Sequence, residues 1–115
     1  MISLQSKLRQ IGLAFQALPI DNVKHYFRPV KKLPALIWAE DGEENSFHAD
    51  NRKECQNITG KVDYYTKTQF DPVMDQVQDI LDELGPWYLE AVQYEDETQT
   101  IHYTWHWEVS TRGES

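Results

Sequence analysis

The last apolar segment of the chain constrains the fold more than any other sequence feature. Between Ile101 and Val109 a large apolar side chain stands at every second position, and polar residues fill the positions between them. Successive side chains of a β-strand point to opposite faces, so this alternation predicts a strand with one face on a core and one face open. The segment is typical of a sheet scaffold and does not by itself indicate any chemistry.

Length and charge limit the class of protein. The 115 residues fit one domain, which at this size buries roughly two thirds of the surface of its unfolded chain. The single cysteine, Cys55, excludes an internal disulfide framework. No apolar run is long enough to cross a bilayer and no secretory pattern opens the chain, so we expect a soluble cytoplasmic product without membrane contact. A net charge of -8 argues against sequence-independent binding to nucleic acid.

Charge is unevenly distributed along the sequence. Basic residues concentrate early, and the middle and end of the chain are acidic. The early basic set is Lys24, His25, Arg28, Lys31 and Lys32. This asymmetry hints at head-to-tail contact between copies, and ordinary solvated charge is the alternative for any single residue.

Two helices are expected. Apolar residues recur at steps of four and three from Leu4 to Leu18, which predicts a helix over residues 2–18 that ends at Pro19. The second helix has Asp71 as N-cap, Pro72 at its first position and a Gly85-Pro86 stop. Its outer arc is acidic. This arc is either a solvated face, or a surface that meets a basic partner or lines a channel through which a polyanion slides. The arc consists of Asp75, Asp79, Asp82 and Glu83.

Four strands are expected, over residues 35–40, 55–67, 87–94 and 99–109. Gly60 within the second strand suggests a bulge or a close backbone approach. Residues 20–34 are interpreted as an irregular segment that turns Tyr26 and Phe27 inward. The order α-β-β-α-β-β predicts an α+β fold: a mainly antiparallel four-stranded sheet with both helices on one face. Residues 1–110 would form this single domain and residues 111–115 a flexible tail.

No residue pattern demands catalysis or a bound cofactor. His102 and His106 would share the open face of a strand but lie ~13 Å apart at about 3.3 Å per residue, too far for one metal ion. Asp41, Glu43, Glu44 and Asp50 cluster in one polar loop and offer the oxygen ligands that a divalent cation favours, but their spacing does not match the twelve-residue calcium loop. The sequence lacks a Gly-rich phosphate cradle, a nucleophile elbow and a CxxC pair. We therefore expect no enzyme, no metal and no cofactor.

Residues 43–52 are polar apart from Phe47 and are long for a hairpin connection. A loop of this kind is either functional or mobile. It supplies the candidate contacts for other copies or partners, together with the exposed strand edges. The candidate interface residues are Glu43, Glu44, Phe47, His48, Asp50 and Arg52.

Taken together, the chain resembles the tail terminator and tail-completion (head-tail joining) proteins of long-tailed bacteriophages and prophages. The resemblance covers nearly the whole chain and includes the N-terminal helix, the Asp71-Pro72 helix start and the closing hairpin. Its most family-like part is Ala49-Asp50-Asn51 followed by the strand 61–67. The other segments that carry it are residues 33–38, 48–51 and 101–105.

The resemblance implies a non-enzymatic structural protein that caps the finished tail tube, commonly as a hexameric ring, and joins it to the head-side connector. Its partners would be its own copies, the tail tube protein and head-completion proteins, and DNA would pass through the lumen without sequence-specific contact. It would lie in the virion tail, or in the bacterial cytoplasm during assembly. The alternative is an acidic inhibitor or immunity-type protein that masks a basic partner surface. A small hydrolase would need a carboxylate and a histidine brought together from separate elements.

Overall fold

Five strands form the main sheet, and two helices cover one of its faces. The computed structural model describes residues 2–26, 32–44, 47–49 and 52–112, with the backbone alone for residues 47–49 and 52–54. The elements in chain order are α1 (Leu4–Gln16), β1 (Asn22–His25), β2 (Ala35–Glu43), β3 (Phe47–Ala49), β4 (Arg52–Cys55), β5 (Asn57–Thr66), α2 (Pro72–Leu84), β6 (Trp87–Glu95) and β7 (Thr100–Ser110).

The main sheet has the strand order β1-β2-β5-β7-β6, and β3 pairs with β4 in a separate two-stranded sheet. β1 is parallel to β2, and the other neighbours are antiparallel. The predicted α+β class with two helices is confirmed. The predicted four-stranded antiparallel sheet and the order α-β-β-α-β-β are wrong in detail, because β1 adds a fifth, parallel strand and β3 and β4 follow β2.

Two segments expected to be irregular contain strands. Within residues 20–34, Asn22–His25 forms edge strand β1, and Tyr26 is 56% exposed instead of turned inward. Phe27 lies outside the described residues. Within residues 43–52, β2 extends to Glu43 and Phe47–Ala49 pairs with Arg52–Cys55. The strands β1, β3 and β4 have only three or four residues each, too few for a period of two to stand out in the sequence.

The core lies between the helices and the face of the sheet predicted from the alternation in the last strand. Trp105, Trp107 and Val109 are buried there with side chains of β2, β5 and both helices. A Cβ at Gly60 would overlap the backbone carbonyl of Ala39 as well as the indole ring of Trp107, so the close backbone approach predicted at this glycine is confirmed. Both helices therefore pack on one face. The opposite face, which we call the open face because neither helix covers it, carries the alternate residues of every strand, although Ala35, Ile37 and Asp63 on it are buried.

Local signals fix the ends of the domain and of α2. Asp71 caps α2 through its side chain, Pro72 begins the helix and Gly85 caps its C-terminus, as predicted. Thr111 is fully buried, and its backbone N–H donates to the carbonyl of Gln56. Thr111 therefore packs against the domain beside the start of β5. No helix among the described residues is long and apolar enough to cross a membrane.

Candidate functional site

Strand β6 exposes several large apolar side chains to solvent. Leu89, Val92 and Tyr94 are 43%, 53% and 59% exposed, and Tyr88 is 53% exposed. β6 is the last strand of the sheet, so no strand of the described chain pairs with its outer side. A long apolar edge with unpaired backbone groups is a template for pairing with another chain.

A bulge in β6 gathers three of these side chains on one face. The register with β7 shifts between Leu89 and Ala91, so Leu89 faces Trp105 while Val92 faces Tyr103 and Tyr94 faces Ile101. Their partners Trp105 and Tyr103 belong to the helix-covered side, yet the helices leave this margin of the sheet uncovered. We call Leu89, Val92 and Tyr94 the apolar strip.

The opposite edge of the sheet carries a groove on the same, helix-covered side. It has a volume of about 610 Å³ and lies between α1 and the edge strands. Its wall includes Leu13, which is 66% exposed, and Arg9.

Aromatic rings and one carboxylate form the floor of this groove. The His25 ring stacks on Trp38 with centroids 3.8 Å apart and on Tyr26 at 4.1 Å. Nε2 of His25 lies 2.7 Å from Oε1 of Glu40. The stack presents flat, partly exposed rings at the edge beside β1.

The Glu40 carboxylate interacts with both Tyr26 and His25 in this floor. Burial raises the pKa of Glu40, but hydrogen bonds from Tyr26 and His25 outweigh it and hold the pKa below its ordinary value. The hydrogen bond to Glu40 in turn raises the pKa of Tyr26 to about 12, with burial and the negative charge adding to the effect. Glu40 is therefore ionised and Tyr26 is a neutral donor at pH 7.

The open face carries a second carboxylate-imidazole pair. Oδ1 of Asp63 lies 2.7 Å from Nε2 of His102 and accepts a hydrogen bond from Oγ1 of Thr104, also at 2.7 Å. The Tyr65 ring stacks on His102 with centroids 4.1 Å apart. Because Asp63 is only 8% exposed, these donors satisfy a carboxylate that would otherwise be costly to bury.

The two pairs bring together the groups that a hydrolase would require, which the sequence alone did not indicate. In each pair the imidazole nitrogen is engaged with a carboxylate and the ring is held by aromatic stacking. This geometry orients a histidine, as in many acid-base sites, but it also serves to satisfy a half-buried acid. No group of three metal-ligating side chains occurs among the described residues.

Four of the predicted interface residues lie on β2, β3 and β4, Glu44 directly follows β2, and one lies outside the described residues. Glu43 ends β2 and accepts a hydrogen bond from Nε2 of Gln56 at 3.2 Å, and the backbone N–H of Glu44 donates to the carbonyl of Asn57. Phe47 and His48 lie in β3 and Arg52 in β4, where only the backbone is described. Asp50 lies outside the described residues.

Two further exposed features complete the surface. The acidic arc of α2 faces solvent, as the sequence predicted, with Asp75, Asp79, Asp82 and Glu83 all exposed. Phe70, directly before the N-cap of α2, is 93% exposed and has a φ of 55°. Because the Phe70 ring is exposed and its backbone lies in the left-handed region, the ring buries no apolar surface that would stabilise the fold.

The apolar strip was missed in the sequence, although a signal for it exists. Apolar residues in β6 are two apart at Trp87 and Leu89 and then three apart at Val92. That change of spacing is the mark of one extra residue in a strand.

Compared with known proteins, the chain matches no protein-family model and no curated protein.

Proposed function

We propose that the chain is a non-enzymatic assembly subunit of a long-tailed phage or prophage, and that it caps the tail tube as a ring and joins it to the head-side connector. The observation that carries the assembly role is the exposed apolar edge strand β6. An apolar patch of this kind on a soluble domain marks a protein-protein contact. The tail-terminator assignment rests on the sequence resemblance over residues 33–38, 48–51, 61–67 and 101–105.

The polar open face and the overall charge are compatible with this role. A ring that conducts DNA benefits from a lumen that repels phosphate, and the chain has a net charge of -8. The acidic arc of α2 is one surface suited to line such a channel. The His102–Asp63 pair would then hold the open face rigid and need not act on a substrate.

The proposal is tested by adding purified protein to tail tubes assembled from the tail tube protein of the encoding phage or prophage. Negative-stain images should show a ring-shaped cap at one tube end and no further tube growth. The control is the Val92→Lys variant, which places a charge on the apolar strip and should cap poorly. Tubes that grow equally with and without the protein would refute the tail role.

A second candidate function is an acidic inhibitor that masks a basic protein, and the exposed acidic arc of α2 favours it. This protein would remain monomeric and bind a basic partner with a steep dependence on salt. Replacing Asp75 and Asp79 by Asn should weaken such binding while leaving self-association unchanged. If the chain is an assembly subunit instead, substitution of Val92 should weaken self-association and leave binding to a basic protein unchanged.

A further inference from the structure

We propose that copies of this chain associate head to tail by adding β6 of one copy to β1 of the next, so that the apolar strip of one copy enters the α1 groove of its neighbour. The inference rests on the assembly role proposed above and specifies the contact. Its occupant is a second copy of the chain, and four observations support that choice.

The first observation is strand direction. β1 is parallel to β2, and three antiparallel steps lead from β2 through β5 and β7 to β6. β1 and β6 therefore run in opposite directions. Copies placed side by side in the same orientation bring them together as an antiparallel pair, which continues the sheet from one copy into the next.

The second observation is register. Val92 pairs with Tyr103, which pairs with Tyr64, then Leu36 and finally Val23, so Val92 and Val23 occupy one row across the sheet. An unstaggered continuation sets Val92 against Val23 of the next copy. By the same rows, Ala91 stands opposite Lys24 of the next copy.

The third observation is shape. The apolar strip and the α1 groove lie on the same, helix-covered side at opposite edges of the sheet. Joining the edges places α1 of the next copy, with exposed Leu13, over the strip. The row of Leu89 ends at His25, which lines the groove, so the continued sheet sets Leu89 at the groove of the next copy. A volume of about 610 Å³ has room for that side chain, whereas Tyr94 packs farther along β1.

The fourth observation is charge. Residues 87–97 carry four acids and no Lys or Arg. The opposite edge presents exposed Lys24 and Lys32, with Arg9 on the groove wall, and its acids are Asp21 and the partnered Glu40. A two-fold pairing of β6 with β6 would bring two acidic hairpins together. The head-to-tail pairing matches opposite charges instead.

Cross-linking tests the pairing. Two strands at opposite edges of a five-stranded sheet lie about 19 Å apart, whereas a disulfide requires Cα atoms within about 7 Å. A disulfide between Ala91→Cys and Lys24→Cys therefore forms only between copies. The background is Cys55→Ala, and the same pair in the native Cys55 background serves if that change impairs folding, since Cys55 is buried.

The double variant should give a ladder of oligomers on a non-reducing gel after mild oxidation, and each single variant should give none. The matched control pairs Lys24→Cys with Asp79→Cys on the outer arc of α2 and should give no ladder. Dimers from Ala91→Cys alone would indicate two-fold pairing and overturn the proposal. Absence of a ladder at concentrations where the chain is oligomeric would overturn it as well, as would a strict monomer.

Side-chain substitutions give an independent measurement by sedimentation velocity from micromolar to near-millimolar protein. Val92→Lys should weaken association roughly tenfold or more, because it sets a charge in the groove. Gln93→Lys changes the charge equally on the open side of the same strand and should have a smaller effect. Equal effects of the two variants would contradict insertion of the strip into the groove.

The tail-capping assay separates this inference from the proposed function. Capping without the Ala91–Lys24 cross-link would leave the tail role intact and refute the pairing. Cross-linked ladders without capping would establish the pairing and refute the tail role.

Discussion

Removal of the Asp71 carboxylate should destabilise the domain far more than the loss of an ordinary helix cap. Oδ1 of Asp71 accepts the Val73 N–H at 3.0 Å, and Oδ2 accepts the hydroxyls of Tyr64 at 2.7 Å and Thr66 at 2.8 Å. Tyr64 is fully buried and Thr66 is 2% exposed. The carboxylate therefore joins the end of β5 to the start of α2.

The magnitude follows from these contacts. Loss of the cap costs about 1 kcal/mol. Each buried hydroxyl left without its charged acceptor adds about 1–2 kcal/mol. We expect Asp71→Ala to lower the free energy of unfolding by about 3–5 kcal/mol, or roughly 12–20 °C in Tm at about 4 °C per kcal/mol.

A double-mutant cycle with Tyr64→Phe isolates the buried contact, measured by urea unfolding with tryptophan fluorescence. The coupling free energy between the two positions should be about 1–2 kcal/mol. The matched control is Asp75→Ala, an exposed acid in the first turn of the same helix, which should cost below about 1 kcal/mol. An Asp71→Ala cost equal to that of Asp75→Ala, with no coupling to Tyr64, would refute the network.

The pH dependence of folding stability tests the sign of the contribution that the Asp71 carboxylate makes. Burial raises the pKa of Asp71, but hydrogen bonds from Tyr64, Val73 and Thr66 outweigh it and hold the pKa below its ordinary value. The stabilisation is therefore complete above the unfolded value of about 3.9 and is lost as the pH falls through the folded pKa. The stability difference between wild type and Asp71→Asn should shrink below about pH 4. A difference that grows on acidification would contradict this sign.

Three further substitutions test the core and the exposed loop. Gly60→Ala should cost about 3 kcal/mol in urea unfolding, because its Cβ would overlap the Trp107 ring and crowd the Ala39 carbonyl; a cost below about 1 kcal/mol would refute this. Trp107→Phe should cost only about 1 kcal/mol, because the indole N–H has no partner among the described residues; a loss near 3 kcal/mol would show that ring volume dominates. Phe70→Asn should stabilise by about 1 kcal/mol in thermal unfolding, because asparagine tolerates the φ of 55°; a lower Tm would show a folding role for the ring.

Elements with local punctuation were predictable from the sequence. Asp71, Pro72 and Gly85 mark α2 because a cap, a fixed φ and a stop act within a few residues. The alternation from Ile101 to Val109 likewise identified β7 and its buried face. These signals depend only on neighbouring residues, so tertiary contacts did not alter them.

Features that depend on which strands become neighbours were not predictable. β1 has four residues and its partner begins at Ala35, so only tertiary contacts reveal its parallel pairing. The Asp63–His102 contact spans 39 positions and requires the register of β5 with β7. The alternation in β7 placed His102 on the open face, but it carried no information on which row of the sheet His102 or Asp63 would occupy.

The two edges of the sheet differ in a way that favours association at β6. Edge strands in soluble proteins are usually kept short, charged, bulged or covered, since bare backbone groups recruit other chains. β1 follows this rule with four residues that include Lys24 and His25. β6 has nine residues and a bulge, yet the bulge keeps Leu89 on the same side as Val92 and so extends the apolar strip instead of interrupting it. The exposure that β6 retains is the reason for proposing that a partner covers this edge, and the α1 groove lies at the other edge of the same chain.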